Sequence, residues 1–287
     1  MSFEVFMTNL LYGLTIGSAL ILIASSLSLI FGVMGVVNFA HGSLAMLGAY
    51  LAYTLILLKF NFWLALMVSP LIVGVLGLAI EAFTLRPLYA KNPLLQFFLT
   101  YGMAMIIANV VLYAWGGDAL GIDKPSSLRG PINILGVYYP KFRSFVFIFS
   151  AALAVGLWLF LTKTTWGIIL RAGIHNRELV EAFGINMSRV FTLVFALGSA
   201  LAAVAGVILG AMRNLNPVMD LDLVIGGLIA VVIGGLGSFR GAVLGALILG
   251  LSESFGAQLM PGFSKFTVYI VMVGILLWRP EGLVKGV

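Results

Sequence analysis

Few side chains in this chain can do chemistry, and their spacing excludes most of it. There are two histidines, His41 and His175, in different segments, and no cysteine. Disulfides, thiolate nucleophiles and cysteine metal sites are therefore out of reach. No HExxH, GxSxG or GxxxxGK[ST] pattern occurs, so the chain cannot hydrolyse ATP by the P-loop route. No cofactor or metal cluster is suggested. Two carboxylates, Glu81 and Glu253, lie inside apolar runs, and each is a functional candidate because burying an ionised group in lipid is costly. Arg86 follows Glu81 by five residues, just before Pro87, which reads as an interfacial ion pair ending a helix. Glu253 shows no partner. It is either a polar contact between helices or a proton- or cation-coupling group.

The polar stretch 163–189 has clear local logic. Asn176 is placed to cap a helix whose first turn holds Arg177 and Glu178. Leu179, Val180 and Phe183 are spaced to share one face, and Gly184 is placed to end the helix in a left-handed conformation. A helix of about two turns is not stable alone and needs a surface. Two readings stay open. It lies on the membrane or on its own protein, or it docks onto a soluble subunit, to which it offers an apolar face and the acids Glu178 and Glu181.

These residues must be positioned by a membrane protein. Apolar residues make up 62% and charged residues 9% of the 287, with mean hydropathy +1.15; soluble domains carry roughly 25% charged residues. Leu10 to Phe31 holds no charge over a length that meets the ~20 residues needed to cross hydrocarbon. No Lys or Arg precedes Lys59, so the first segment is expected to be a retained span rather than a signal peptide. The net charge of +6 sits in loops and does not point to nucleic acid.

Nine apolar segments are predicted: 10–31, 38–58, 62–84, 94–115, 143–162, 189–212, 223–236, 241–259 and 266–279. The second and seventh adjoin glycine-broken stretches, so eight or nine spans are expected in an all-α polytopic bundle forming one domain over 1–287. Basic residues divide nine to seven between the two sides, four of the nine lying in 163–189. This places that loop and the C-terminus in the cytoplasm and the N-terminus outside. The loop 116–141, with three prolines, then lies outside and reads as irregular; 213–222 shares its face. Small residues four apart, such as Gly241 and Gly245 or Gly206 and Gly210, predict close helix packing.

Irregular backbone at membrane depth persists only inside protein or against a water-filled cavity. The break at Asn38, Phe39, His41, Gly42 and Ser43, and the break at Gly234 and Gly235, are therefore candidates for a translocation path. Similar breaks in two halves of a chain point the same way. A lone His41 is more often hydrogen-bonded structure than a ligand contact, so the break itself is the better candidate.

The stretch Leu27 to Gly42, the run Glu81 to Leu88, Arg171 to Asn186, Gly234 to Ser238 and Arg279-Pro280-Glu281-Gly282-Leu283 together resemble one family. It is the inner-membrane permease subunits of ABC importers for branched-chain amino acids, the LivH-like branch. The resemblance covers nearly the whole chain. It implies a bacterial or archaeal cell membrane, a second related permease, two cytoplasmic ABC ATPases, an external solute-binding protein and a small polar solute. It implies coupling to the ATPases through Arg177, Glu178, Leu179, Glu181, Ala182, Phe183, Gly184, Ile185 and Asn186, where Glu181-Ala182 followed by Gly184 is similar to the EAA…G loop of ABC importers. Phe183 stands where a small residue is common. Urea or short amides are the substrate alternatives within the family, and an ion-coupled secondary transporter is the alternative from another class.

Overall fold

A computed structural model describes residues 2–284 except 90 and 135. Each predicted apolar segment falls on a helix: α1 (Phe3–Met34), α2 (Ala40–Leu57), α3 (Phe62–Ile80), α4 (Pro93–Trp115), α5 (Lys141–Lys163), α8 (Met187–Met212), α9 (Met219–Gly234), α10 (Phe239–Leu259) and α11 (Ser264–Trp278). The polar stretch supplies α6 (Thr165–His175) and α7 (Arg177–Ala182). Seven helices among the described residues are long and apolar enough to cross a bilayer. Helices α9 and α11, at 16 and 15 residues, are shorter than the ~20 residues of a full crossing. The chain is a multi-pass membrane protein built as a helical bundle.

Capping explains where the helices begin and end. Ser2 accepts a hydrogen bond from the Val5 amide at the start of α1. Gly35, at φ +68°, closes its far end by donating its N–H to the Phe31 carbonyl at 2.8 Å. Helix α3 runs on past Ile80 through a π-helical turn, Glu81–Leu85, and a tight 3₁₀ turn, Arg86–Leu88. Pro87 therefore lies in the final turn of this span rather than just beyond it. Glu81 opens the π-turn, a feature common at functional positions.

Helix α1 is the axis of the bundle. It packs against α10, α8, α5 and α9, while α8 in turn carries α2 and α3. Side chains of α1 from Ala19 to Ile30 are nearly all buried. Lipid tails are as apolar as leucine, so helices here associate by close packing rather than by the hydrophobic effect. The predicted small residues supply it. A methyl group on Gly13 would stand 2.9 Å from the Cα of Leu251, and one on Gly17 would stand 2.9 Å from the Cα of Leu247. On Gly245 it would strike the Ala230 carbonyl, and on Gly206 the Ala45 carbonyl. These contacts fix α1 on α10, α10 on α9 and α8 on α2.

The same contacts define two opposite ends. Near the start of α1, the Asn9 carbonyl accepts from Ser254 at 2.8 Å and the Leu11 carbonyl accepts from the Tyr139 hydroxyl at 2.9 Å. Near its other end, Gly32 lies against Gly237, and Ile174 of α6 shares a cavity with Gly32 and Val33. Loop 116–141 and the stretch 163–189 therefore sit at opposite ends of α1, as the charge distribution predicts. Lys285, counted in that distribution, lies outside the described residues. Loop 116–141 departs from the irregular coil expected. It contains an antiparallel hairpin, β1 (Pro131–Ile134) and β2 (Val137–Pro140), with Asn133 opposite Tyr138. Val137 and Tyr139 face inward and Tyr138 outward, a period-two pattern too short to stand out among the prolines.

Gly206→Leu is expected to cost at least ~1–3 kcal/mol through overpacking against Ala45, and to lower the thermal midpoint of the purified protein. Gly102→Leu, at a position with open space around it, is expected to leave that midpoint unchanged.

Candidate translocation and coupling sites

The first break, 35–39, is held by side chains on several elements. The Asn38 carboxamide oxygen accepts from the Ala40 amide at 3.0 Å, doing at the start of α2 what a capping residue does. Thr100 of α4 donates to the Val37 carbonyl at 3.4 Å. His41, fully buried, pairs through Nε2 with the Ser26 hydroxyl at 2.8 Å. Ser43 donates to the Asp220 carboxylate at 2.9 Å. The space above Gly42 is filled by Asp220 and Val224, so α2 and α9 start against each other. Phe39 is half-buried and meets Phe97 edge-on at 4.8 Å. Asn38, His41, Gly42 and Ser43 are thus brought together, but sealed between α1, α2 and α9 rather than lining open space.

The second break, 235–238, is closed by the end of the chain. The Leu283 amide donates to the Ile233 carbonyl at 3.0 Å, and the Val284 amide donates to the Gly234 carbonyl at 2.9 Å. Both are carbonyls that a helix end leaves without intrahelical partners. Gly282, at φ +84°, turns the chain back toward Gly235, itself at φ +108°. The role of Arg279 to Leu283 as a clasp on α9 is invisible in the sequence, because the residues it caps lie about fifty positions earlier. Ser238 then caps α10 by accepting from the Gly241 amide at 3.1 Å.

At the end of α1 beside Gly32, α7 forms as the sequence predicts. Asn176 accepts from the Leu179 amide at 2.9 Å, and Gly184 takes φ +81°. One expectation is corrected. Leu179, Val180 and Phe183 do not share a face: Val180 is 6% exposed and packs into the core, while Leu179 is 55% and Phe183 79% exposed. In a six-residue helix the residues four apart, Leu179 and Phe183, keep one face, and tertiary packing takes Val180. Ile185 is half-buried, whereas Glu178, Ala182 and Asn186 are exposed. Arg177 pairs with Glu181 at 2.9 Å and lays its guanidinium over the Phe191 ring at 5.2 Å.

That ring leads to Glu81. Its carboxylate is fully buried and accepts from Arg86 at 3.2 Å, from the Thr192 hydroxyl at 2.6 Å and from the Tyr89 hydroxyl. Burial, then the hydrogen bond to Glu81, pushes the Tyr89 phenol above its ordinary range. Tyr89 also meets Phe191 edge-on at 5.3 Å. Polar and aromatic contacts therefore run without interruption from α7, through α8, to the end of α3. Of this chain of contacts only Glu81 and Arg86 were legible as a pair. Thr192 and Tyr89 gave no signal, since a threonine in an apolar run and a tyrosine in a short connector are ordinary.

Glu253 has a partner after all. Arg213, just beyond α8, reaches it at 3.0 Å, with both side chains partly exposed. Forty positions separate them, so no local spacing connects them. Among the described residues no three metal-ligating side chains come together.

Comparison with known proteins agrees with this architecture. The family model described as branched-chain amino acid transport system, permease component, matches residues 9–276. The chain is 32% identical to the high-affinity branched-chain amino acid transport system permease protein BraD of Pseudomonas aeruginosa, over 97% of this chain and 95% of that one. It is 28% identical to the corresponding LivH of Escherichia coli K12, over 98% and 96%. A solved metal-chelate type ABC transporter in an inward-facing conformation shares the fold, with TM-score 0.51 and 16% identity over 95% of this chain and 85% of that one. Seven bilayer-length helices, two clasped breaks and a short exposed helix at one end belong to a chain that is a member of the branched-chain amino acid transport permease family.

Proposed function

We propose that this chain is one membrane-spanning half of an ATP-driven importer for branched-chain amino acids. The observation that carries the reading is the contact path between the exposed face of α7 and the buried Glu81 carboxylate, in a chain of this family. The chain has no P-loop, so work must enter from outside it. Leu179 and Phe183 offer an apolar contact and Glu178 an acid to a cytoplasmic ATPase. Displacing α7 moves Arg177, Phe191 and Tyr89 together, and these bear on the junction where α3 joins α8. ATP binding shifts the balance between two states of such a junction only as far as the ATPase binds one state better.

The partner set follows from the same reading. Asn38, His41 and Ser43 at the first break are buried within this copy, which favours a path formed against a second, related permease. The end of the bundle bearing the β-hairpin and 213–218 would receive solute from an external binding protein. The ion-coupled alternative needs a carboxylate that takes up and releases a cation. Glu81 is fully buried and held by Arg86, Thr192 and Tyr89, which weighs against that role for it.

Phe183→Asp is expected to lower uptake by the assembled transporter at least tenfold and to reduce the ATPase that co-purifies, while the thermal midpoint of the permease stays put. Val180→Asp is expected to cost folded protein instead, since it buries a charge. Equal effects of the two on folding and none of Phe183→Asp on uptake would remove α7 from the coupling role. Glu81→Gln leaves Arg86 without its carboxylate in a partly buried place; it is expected to let ATP hydrolysis continue while uptake falls, measured side by side in proteoliposomes. Uptake that stays in proportion to hydrolysis would exclude Glu81 from transmission.

A further inference from the structure

Between α1, α8, α9, α10 and α11, at the end of the bundle bearing the β-hairpin, lies a cavity of about 230 Å³. It is smaller than the roughly 300–1,000 Å³ of pockets for drug-sized ligands. One side of it is charged. Arg213 and Glu253 meet there at 3.0 Å, with their side chains 56% and 33% exposed, and Asp222 of α9 lines the same wall. The other side is aliphatic, with Ile16, Leu223 and Ile229 among its lining residues. Glu253 sits in the last third of a helix that is apolar enough to cross the bilayer. Charged groups in such segments face water or protein, because facing lipid is costly. The cavity is therefore a wet recess with one dipolar wall and one greasy wall.

We propose that this recess is a binding site for a zwitterionic aliphatic amino acid. The proposal rests on the substrate reading above and gives that substrate a place on this chain. The argument is one of charge balance. When the Arg213–Glu253 pair opens, an opposite charge suits each partner best, since both side chains are only partly exposed, at 56% and 33%. A lone anion would satisfy Arg213 and strand Glu253 in a recess that Asp222 also lines. An amino acid brings both charges on one carbon. Its carboxylate takes the Arg213 guanidinium, whose planar fork suits a carboxylate, and its ammonium takes the Glu253 carboxylate. No net charge is created and no group is left alone. The side chain then has one direction to go, toward Ile16, Leu223 and Ile229. The small volume selects against large aromatic side chains. A neutral amide, the chemistry of the alternative substrates, would leave both charges without ionic partners.

The test is simultaneous uptake of leucine and alanine by proteoliposomes holding the assembled transporter. If the unaltered transporter takes up no amino acid, the substrate reading falls and this proposal falls with it. Given uptake, Ile16→Trp, which fills the aliphatic end, is expected to lower the leucine-to-alanine ratio about tenfold, a discrimination typical of a crowded apolar pocket. Arg213→Gln is expected to raise the apparent KM for both amino acids about tenfold or more, the loss that follows removal of a charged hydrogen-bond partner. Arg213→Lys is expected to recover part of that rise. An unchanged ratio in Ile16→Trp overturns the proposal while leaving the substrate reading intact. So does an Arg213→Gln variant whose maximal rate falls with KM unchanged, the behaviour of an ion pair that merely staples α8 to α10. Should Arg213→Gln fail to assemble, Ile16→Trp and Arg213→Lys carry the test alone.

Discussion

Backbone that leaves the helical path inside a bilayer has no water to bind, and every freed N–H and C=O must find a partner within the protein. The structure turns on how this chain meets that requirement at its two breaks. At 35–39 the partners come from side chains: Asn38 serves the Ala40 amide and Thr100 serves the Val37 carbonyl. At 235–238 they come from backbone, through Leu283 and Val284. The two solutions differ in what they permit. The Asn38 side chain ties the first break to the start of α2, and Thr100 ties it to α4. The clasp on the second break belongs to the chain's own tail, and it moves only if that tail moves.

Close backbone approach does the rest. Helices in lipid gain little from burying leucine, so the contacts that matter are those where a carbonyl or a Cα replaces a side chain. Gly245 against Ala230 and Gly206 against Ala45 are of this kind, and such contacts fail on small displacements. A bundle held this way resists continuous deformation and prefers discrete arrangements. That property suits a protein proposed to alternate between two states, because a short push at one end must be converted into a change of state, not dissipated in soft packing.

Much of this is legible in the sequence. Nine apolar runs became nine helices because a membrane imposes length and apolarity at once, leaving few other outcomes. The α7 helix was readable because Asn176 and Gly184 bracket it and both signals are local. What escaped was long-range. The Val180 side chain is drawn into the core, and no spacing within six residues reports that. Arg213 and Glu253 are forty positions apart, and the clasp of 282–284 on Gly234 spans about fifty. The polar cluster at Asn38, His41 and Ser43 was recognised as unusual, yet a polar residue at membrane depth reads alike whether it faces a pore or another helix. Only Asp220, reached through Ser43, distinguishes the two here.

The distribution of charge along the bundle carries the last step. At one end Glu81 is locked by three donors in a fully buried place; at the other Glu253 is held by one arginine in a half-open one. The desolvation cost of an ion is offset only by partners of good geometry, so a charge with three donors has little to gain from a visitor. A charge with one partner, exposed to water, loses little by exchanging it. The two carboxylates are therefore fitted to different tasks. Glu81 is suited to the transmission proposed for it, because its partners on α8 and beyond α3 cannot leave without moving the segments that carry them. Glu253 is suited to receive, because Arg213 can exchange one carboxylate for another without disturbing the bundle, and a solute that brings its own pair of charges enters at no net electrostatic loss.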